Sequence, residues 1–144
     1  FHKLMDPSLD ASGPGACIGA EDGPKPIPDA PPLAPKPDCV SPAGCLFCDF
    51  HRDLDSLDYV WSLTSYRHLK LTELTHFHPP TKDQSPPHPV IAVIDRITEK
   101  LLQFKSGNET RAQWIDECRD RVAEGRSHPA WDGFIQCMEL SAND

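Results

Sequence analysis

The stretch Cys39-Val-Ser-Pro-Ala-Gly-Cys45-Leu-Phe-Cys48-Asp-Phe-His51 decides how this chain is organised, because it holds three cysteines and a histidine within 13 residues. Two thiolates separated by two residues, as at Cys45 and Cys48, can both point at one cation, and Gly44 allows the tight turn that this requires. Cys39 can fold back to supply a third ligand. The pattern is typical of a structural metal site, and Zn²⁺ in such a site takes four ligands in a tetrahedron.

The fourth ligand is either His51 or the distant Cys17, and spacing alone does not choose between them. His51 is close in sequence and would begin the following helix, which is a common place for a zinc ligand. Cys17 would close a longer loop, but its ligation would order a segment that otherwise has no reason to fold. We therefore favour Cys17.

Other roles for these cysteines are less favoured. An iron–sulfur cluster also takes four cysteines and stays an alternative cofactor to zinc. A second alternative is that the cysteines are reduced thiols that bind no cofactor. A disulfide framework is disfavoured because the chain shows no secretion signal, and a thioredoxin-type pair because no βαβ pattern surrounds Cys45 and Cys48. Cys118 and Cys137 lie on or beside helical apolar stripes and are predicted to be small core residues.

Upstream of the cysteine-rich stretch, residues 1–38 contain nine of the 16 prolines. Proline has a fixed φ and no N–H group, so this segment is predicted to contain neither regular helix nor central strand. We expect an extended arm, partly in the polyproline II conformation. Such a composition favours disorder unless the arm is tethered, and Cys17 lies in its middle.

Downstream, apolar residues recur at helical spacing. The pattern predicts helices over roughly 89–105, over 109–124 between an Asn108 cap and Gly125, and from Ser127–Pro129 onward. The last of these has the apolar stripe Trp131, Phe134, Ile135 and Met138. Residues 53–77 are also predicted to be helical, and this helix must be central or broken near Thr64–Ser65. Residues 78–89 are predicted to form a loop. The prediction is a mainly α protein, a bundle of about four helices (53–144) with a zinc knuckle (39–52) that tethers the arm (1–38).

Composition excludes several functions. The net charge of −8 argues against a free-standing nucleic-acid binder, so any DNA contact must be local. The basic side chains that could make such a contact are Arg67, Lys70, Arg119, Arg121 and Arg126, although ordinary surface charge is the favoured role for each. The chain lacks an apolar run long enough for a membrane span, a glycine-rich nucleotide loop and a hydrolase frame, so we expect a cytoplasmic, non-catalytic protein. It does not begin with Met, which suggests a piece of a longer polypeptide.

A second metal site formed by His76, His78 and His88 can also be drawn from the sequence. These histidines lie in or beside a proline-rich stretch. A solvated loop is therefore the favoured interpretation.

Several short motifs resemble a known family. Gly15-Ala16-Cys17, Cys39, Gly44-Cys45-Leu46-Phe47-Cys48, Arg52, Asp55, Asp58, Trp61-Ser62-Leu63, Arg67-His68-Leu69 and the tail His128-Pro129-Ala130-Trp131 are similar to the cysteine-bearing C-terminal region of bacterial phage-integrase-like tyrosine recombinases and associated mobile-element proteins. The resemblance covers most of residues 13–140. It implies Cys17, Cys39, Cys45 and Cys48 as the metal-binding set.

The resemblance does not extend to catalysis. Tyrosine recombinases use a His-x-x-Arg element and a nucleophilic tyrosine; no His-x-x-Arg occurs in this sequence, and nothing marks Tyr59 or Tyr66 as a nucleophile. The implied function is a zinc-stabilised accessory domain for DNA recombination or integration, which contacts the rest of a larger recombinase or partner subunits and DNA indirectly. A protein–protein interaction module of a mobile-element or defence complex, with the arm as contact surface, is the alternative.

Overall fold

The computed structural model describes residues 9–10, 13–17, 23–77 and 89–142, and it is mainly helical, which confirms the predicted fold class. The helices in the described residues are α1 (Pro42–Cys45), α2 (Leu57–Phe77), α3 (Pro89–Gly107), α4 (Glu109–Ala123) and α5 (Pro129–Ala142). The strands are β1 (Leu9–Asp10), β2 (Ala16–Cys17) and β3 (His51–Arg52). None of these helices is long and apolar enough to cross a membrane.

Helix α2 occupies the centre of the bundle and packs against α3, α4 and α5. It is continuous through Thr64 and Ser65, so a break at this point is wrong. The Thr64 hydroxyl donates to the Val60 carbonyl (2.7 Å), and the Ser65 hydroxyl accepts from the His128 N–H (2.8 Å). Because both hydroxyls have partners, they can be buried in the helix at little cost.

The ends of the helices follow local capping chemistry. Asn108 accepts a hydrogen bond from the Arg111 N–H (2.8 Å), which confirms the predicted cap of α4, and Gly125 follows its end with φ +83°. Helix α2 begins at Leu57 rather than at Asp53, because the Ser56 hydroxyl accepts from the Tyr59 N–H (3.1 Å). Residues 53–56 therefore form the turn that leads from β3 into the helix.

The apolar stripe of α3 is buried as predicted, at Val90, Val93, Ile94, Ile97, Leu101 and Phe104. In α5, Trp131 and Ile135 are buried, but Phe134 is 62% exposed, so its assignment to the core is wrong. Cys118 is buried, whereas Cys137 is exposed and its assignment to the core is also wrong. The reason is that α5 packs mainly on α2, which covers only one face of it.

The arm departs from the prediction at Ala16–Cys17, which form the central strand of an antiparallel sheet in the order β1-β2-β3. Neither residue is proline or follows one, so both keep the N–H group that a central strand needs. Further along, the Ile27 N–H donates to the Phe47 carbonyl (2.9 Å). The arm thus crosses the cysteine-rich stretch and pairs with it twice.

Candidate metal centre

The four predicted cysteine ligands come from three neighbouring pieces of backbone. Cys17 lies in β2 directly opposite His51 of β3, and Cys45 ends α1. The Cys48 N–H donates to the Cys45 carbonyl (3.2 Å), and the His51 N–H donates to the Cys48 carbonyl (3.1 Å). Consecutive turns therefore connect Cys45 to the strand that pairs with Cys17.

Cys39 lies within electrostatic reach of all three of these thiols. Loss of hydration is the largest cause that raises the pKa of its thiol, and the thiolates of Cys48, Cys17 and Cys45 raise it further. Cys48 is buried, Cys17 and Cys45 are half-buried, and Cys39 is an exposed residue. The pairing of β2 with β3 brings the strand that carries Cys17 next to the segment that follows Cys48.

Cys39 has a left-handed backbone conformation, with φ +63°, which is uncommon for a residue other than glycine. The adjacent Asp38 carboxylate accepts from the N–H groups of Val40 (2.9 Å) and Ser41 (2.8 Å). These backbone hydrogen bonds lower the pKa of Asp38. The turn that carries Cys39 is therefore held by its own side-chain hydrogen bonds.

In the parts of the chain that the structure describes, no group of three or more histidine, cysteine, aspartate or glutamate side chains is arranged to hold a metal ion. All six cysteines lie in these parts, and all are thiols rather than disulfides. The four predicted ligands do not form such a group. Their chemistry suits Zn²⁺, whose structural sites are built from such thiolate sets, and the ion itself stays a prediction.

His51, the alternative fourth ligand, is engaged elsewhere through one ring nitrogen. Its Nε2–H donates to the Pro14 carbonyl (2.6 Å), and burial, followed by the charge of Lys100, lowers the pKa of the imidazole to about 4. The ring is therefore neutral at pH 7. Gly15 fits closely against it, since a Cβ at Gly15 would lie 2.5 Å from Nε2. His51 thus fastens the arm two residues before Ala16–Cys17.

A buried ionic network begins at Asp53, directly after β3, and was not predicted from the sequence. The Lys100 ammonium donates to the Asp53 carboxylate (3.0 Å), which also accepts from the Tyr59 hydroxyl. Burial would raise the pKa of Asp53, but the charge of Lys100 and the Tyr59 hydrogen bond outweigh it and hold that pKa below its ordinary value. Burial lowers the pKa of Lys100 and raises that of Tyr59.

One sequence signal could have revealed this network. Lys100 falls three residues after Ile97 and four before Phe104, on the apolar stripe of α3, where a charged side chain needs a buried partner. On the same helix, the Arg96 Nε–H donates to the Leu46 carbonyl (3.0 Å). Helix α3 is therefore joined to the cysteine-rich segment by Arg96 and to the turn that follows β3 by Lys100.

The predicted DNA-contacting residues are distributed over α2 and α4 and the turn after α4. The Arg67 guanidinium donates to the Thr98 hydroxyl (2.9 Å), and Lys70 pairs with Glu73 (3.0 Å). Arg121 pairs with Glu117 (2.9 Å) and lies over the Trp61 ring, with its guanidinium carbon 4.8 Å from the ring centroid. These contacts assign the side chains structural roles within the bundle.

The two remaining residues of that set, Arg119 and Arg126, are exposed. Arg126 pairs with Glu124 (2.5 Å) and, with Arg121 and Trp61, lines a small surface cleft. Arg119 is exposed on α4. Of the histidines suggested for a second metal site, His78 and His88 lie outside the described residues, as does the side chain of His76.

Residues that carry the family resemblance join helices to one another. The Trp131 indole N–H donates to the Ser62 hydroxyl (2.9 Å), and the Trp61 indole N–H donates to the Arg126 carbonyl (3.0 Å). The His128 ring lies 3.0 Å from the Asp58 carboxylate. The Asp55 carboxylate accepts two hydrogen bonds from Arg111, each 2.8 Å long. This part of the motif set therefore has a packing role.

The sequence matches no family model, and no curated protein or solved structure shows significant similarity to it. The relation to recombinases therefore rests on the short motifs alone.

Proposed function

We propose that this chain is a zinc-stabilised, non-catalytic accessory domain of a DNA recombinase or integrase, and that it scaffolds the larger protein or docks a partner. The observation that supports the zinc part is the antiparallel pairing of Cys17 with His51, three residues after Cys48, which places the cysteine of the arm beside the knuckle. A Zn²⁺ ion bound to these four thiolates would supply a cross-link between the arm and the knuckle. The recombinase part is supported by the motif resemblance.

The pairing of β2 with β3 supports Cys17 as a member of the ligand set. The Nε2–H of His51 donates to the Pro14 carbonyl, and this bond draws the arm toward the knuckle. Cys17 lies in the strand that pairs with His51, so the same pairing brings its sulfur to the knuckle. In this proposal His51 positions the arm and Cys17 ligates.

A scaffolding role agrees with the state of the two tyrosines. Tyr59 and Tyr66 are each only 2% exposed, so neither presents its hydroxyl to a DNA phosphate. Four thiolates around one divalent cation also leave a net charge of about −2, which repels phosphate. We therefore assign the centre a role in stability.

Elemental analysis of the purified chain tests the zinc proposal. We expect one zinc per chain, and after replacement by Co²⁺ an absorption band from thiolate-to-metal charge transfer. Cys17→Ser should weaken metal binding by at least about ten-fold, because loss of even a hydrogen-bond partner of a metal ligand has an effect of this size. Cys137→Ser is the matched control, because Cys137 is exposed on α5 and far along the chain from the set. A colourless protein without metal, whose thiols bind no Co²⁺, contradicts the proposal.

Visible absorbance of the native protein, with an intensity that corresponds to one cluster per chain, would instead support the iron–sulfur alternative.

Retention of the chain on a column of duplex DNA tests the recombinase part of the proposal. Salt-sensitive retention that Arg119→Ala or Arg126→Ala weakens would support direct contact, and absence of retention at low salt would favour contact through protein only.

A protein–protein interaction module is the second candidate function. It is favoured by a groove between the arm and α3, which combines exposed apolar side chains with three carboxylates.

A further inference from the structure

A groove of about 560 Å³ separates the proline-rich arm from helix α3 and is named here the arm groove. Pro31, Pro32 and Leu33 form one wall, and Ile91 and Ala92 of α3 contribute to the other. Its volume falls within the range of roughly 300–1,000 Å³ that is usual for ligand-binding clefts. The groove is independent of the proposed metal set, because none of the four cysteines lines it.

Apolar side chains are left open to solvent along this groove. Leu33 is 44% exposed and Ile91 is 38% exposed, and they lie on opposite walls. Ile27, which is half-buried, also lines the groove, and the buried Phe47 belongs to its lining. Exposed apolar residues that converge on one cleft, and that are not scattered singly, mark a surface that gains stability when a partner covers it.

Three carboxylates border the same cleft, those of Asp29, Asp95 and Glu99. All three residues are exposed, and none has an ion-pair or hydrogen-bond partner for its carboxylate among the described residues. Asp95 and Glu99 are four residues apart on α3, so their like charges are neighbours and repel each other. A cation placed in the groove would relieve this repulsion.

Arg96 is the one basic residue among the described residues that line the groove. Its Nε–H donates to the Leu46 carbonyl (3.0 Å), so its guanidinium is held by the fold. With three carboxylates against this one cation, the described lining carries a net negative charge. This charge disfavours nucleotides, nucleic acid and anionic lipid, and it complements lysine or arginine.

We propose that the arm groove binds a peptide segment of a partner protein in which apolar side chains alternate with lysine or arginine. The apolar side chains cover Leu33 and Ile91, and the cations reach Asp29 and the Asp95–Glu99 pair. A peptide fits better than a small organic cation, because the apolar and acidic groups extend over both walls and two turns of α3.

Fluorescence anisotropy with a labelled synthetic peptide of alternating leucine and lysine tests this proposal on the full chain. We expect saturable binding that weakens with salt, and at least ten-fold weaker binding of a leucine–glutamate peptide. The variant Asp95→Asn/Glu99→Gln should weaken binding of the leucine–lysine peptide about five-fold, since it removes two exposed charge pairs. Leu33→Ser should weaken it as well.

Asp116→Asn/Asp120→Asn is the matched control, because these residues are an exposed acidic pair at the same spacing on α4. It changes the net charge equally and should leave binding unchanged. Circular dichroism would establish that each variant is folded. Equal weakening by the two pairs, equal binding of the glutamate peptide, or no binding of the lysine peptide would each overturn the proposal. None of these outcomes depends on whether the chain binds zinc.

Discussion

Replacement of Lys100 by methionine is expected to destabilise the protein severely. Lys100 and Asp53 are 7% and 8% exposed, and their charged atoms are 3.0 Å apart. Methionine fills a similar volume but leaves the Asp53 carboxylate buried without its cation. Loss of one partner from a buried ion pair costs about 3–5 kcal/mol, and we expect a value near the lower end because Tyr59 still donates to Asp53. This is a large part of the 5–15 kcal/mol usual for a domain.

Urea unfolding followed by circular dichroism at pH 7 measures this loss, and the midpoint of thermal unfolding should fall by roughly 10 °C. Lys105→Met is the control, because Lys105 is exposed on the same helix, and it should change stability by less than about 0.5 kcal/mol. The double variant Lys100→Met/Asp53→Asn should recover much of the loss, since no charge is then buried.

Acid should change the stability of the wild type and of the Lys100→Met variant in opposite directions, because Asp53 has a different pKa in each. In the wild type its folded pKa lies below the ordinary value, so its stabilising contribution is present above the unfolded pKa and is lost as the pH falls through the folded pKa. Without Lys100, burial raises that pKa, and the variant regains stability relative to the wild type as the pH falls from 7 toward 4. A loss below 1 kcal/mol, with no recovery in the double variant, would refute the buried-pair assignment.

Three further predictions concern the arm and its junction with the bundle. Burial lowers the folded pKa of His51 to about 4, against an unfolded value near 6.5, so the unfolded chain takes up the proton first as the pH falls. The stability of the wild type should therefore fall by about 1 kcal/mol between pH 7 and 5.5, as measured by chemical denaturation. His51→Gln should not show this dependence on pH. Gly15→Ala should loosen the arm, detected as faster limited proteolysis, because φ is +104° and the new Cβ would lie 2.5 Å from the His51 ring; Gly23→Ala, also at positive φ but with open space around it, should do so much less. Arg111→Met should cost about 1–3 kcal/mol in thermal unfolding by removing both hydrogen bonds to Asp55, and an unchanged midpoint would show that this pair contributes nothing.

Local chemistry explains why the helical part of this protein can be predicted from its sequence. The Asn108 cap and the apolar stripe of α3 involve residues within a few positions of one another, so their spacing carries the structural information directly. The same holds for the cysteines of the knuckle, whose spacing suggested a common site. Cys17 was added because an arm rich in proline needs a tether, and its strand pairs with β3 at His51.

Exposure was not predictable in the same way. Phe134 and Cys137 are on or beside an apolar stripe, yet both are exposed, because burial in α5 depends on which neighbour covers each face. The strand at Ala16–Cys17 was also missed, since its partner in β3 lies more than thirty residues away. Periodicity within one helix or one arm contains no information about such partners.

The order of residues by itself determined the helices and the Asn108 cap, because each depends on backbone preferences and spacing along a single segment. Only the tertiary structure decided that Asp53 pairs with Lys100, that His51 bonds to Pro14, and that Asp29 lines the same groove as Asp95 and Glu99. The residues brought together in this way are far apart in sequence, and they meet only when the arm, the knuckle and α3 pack together.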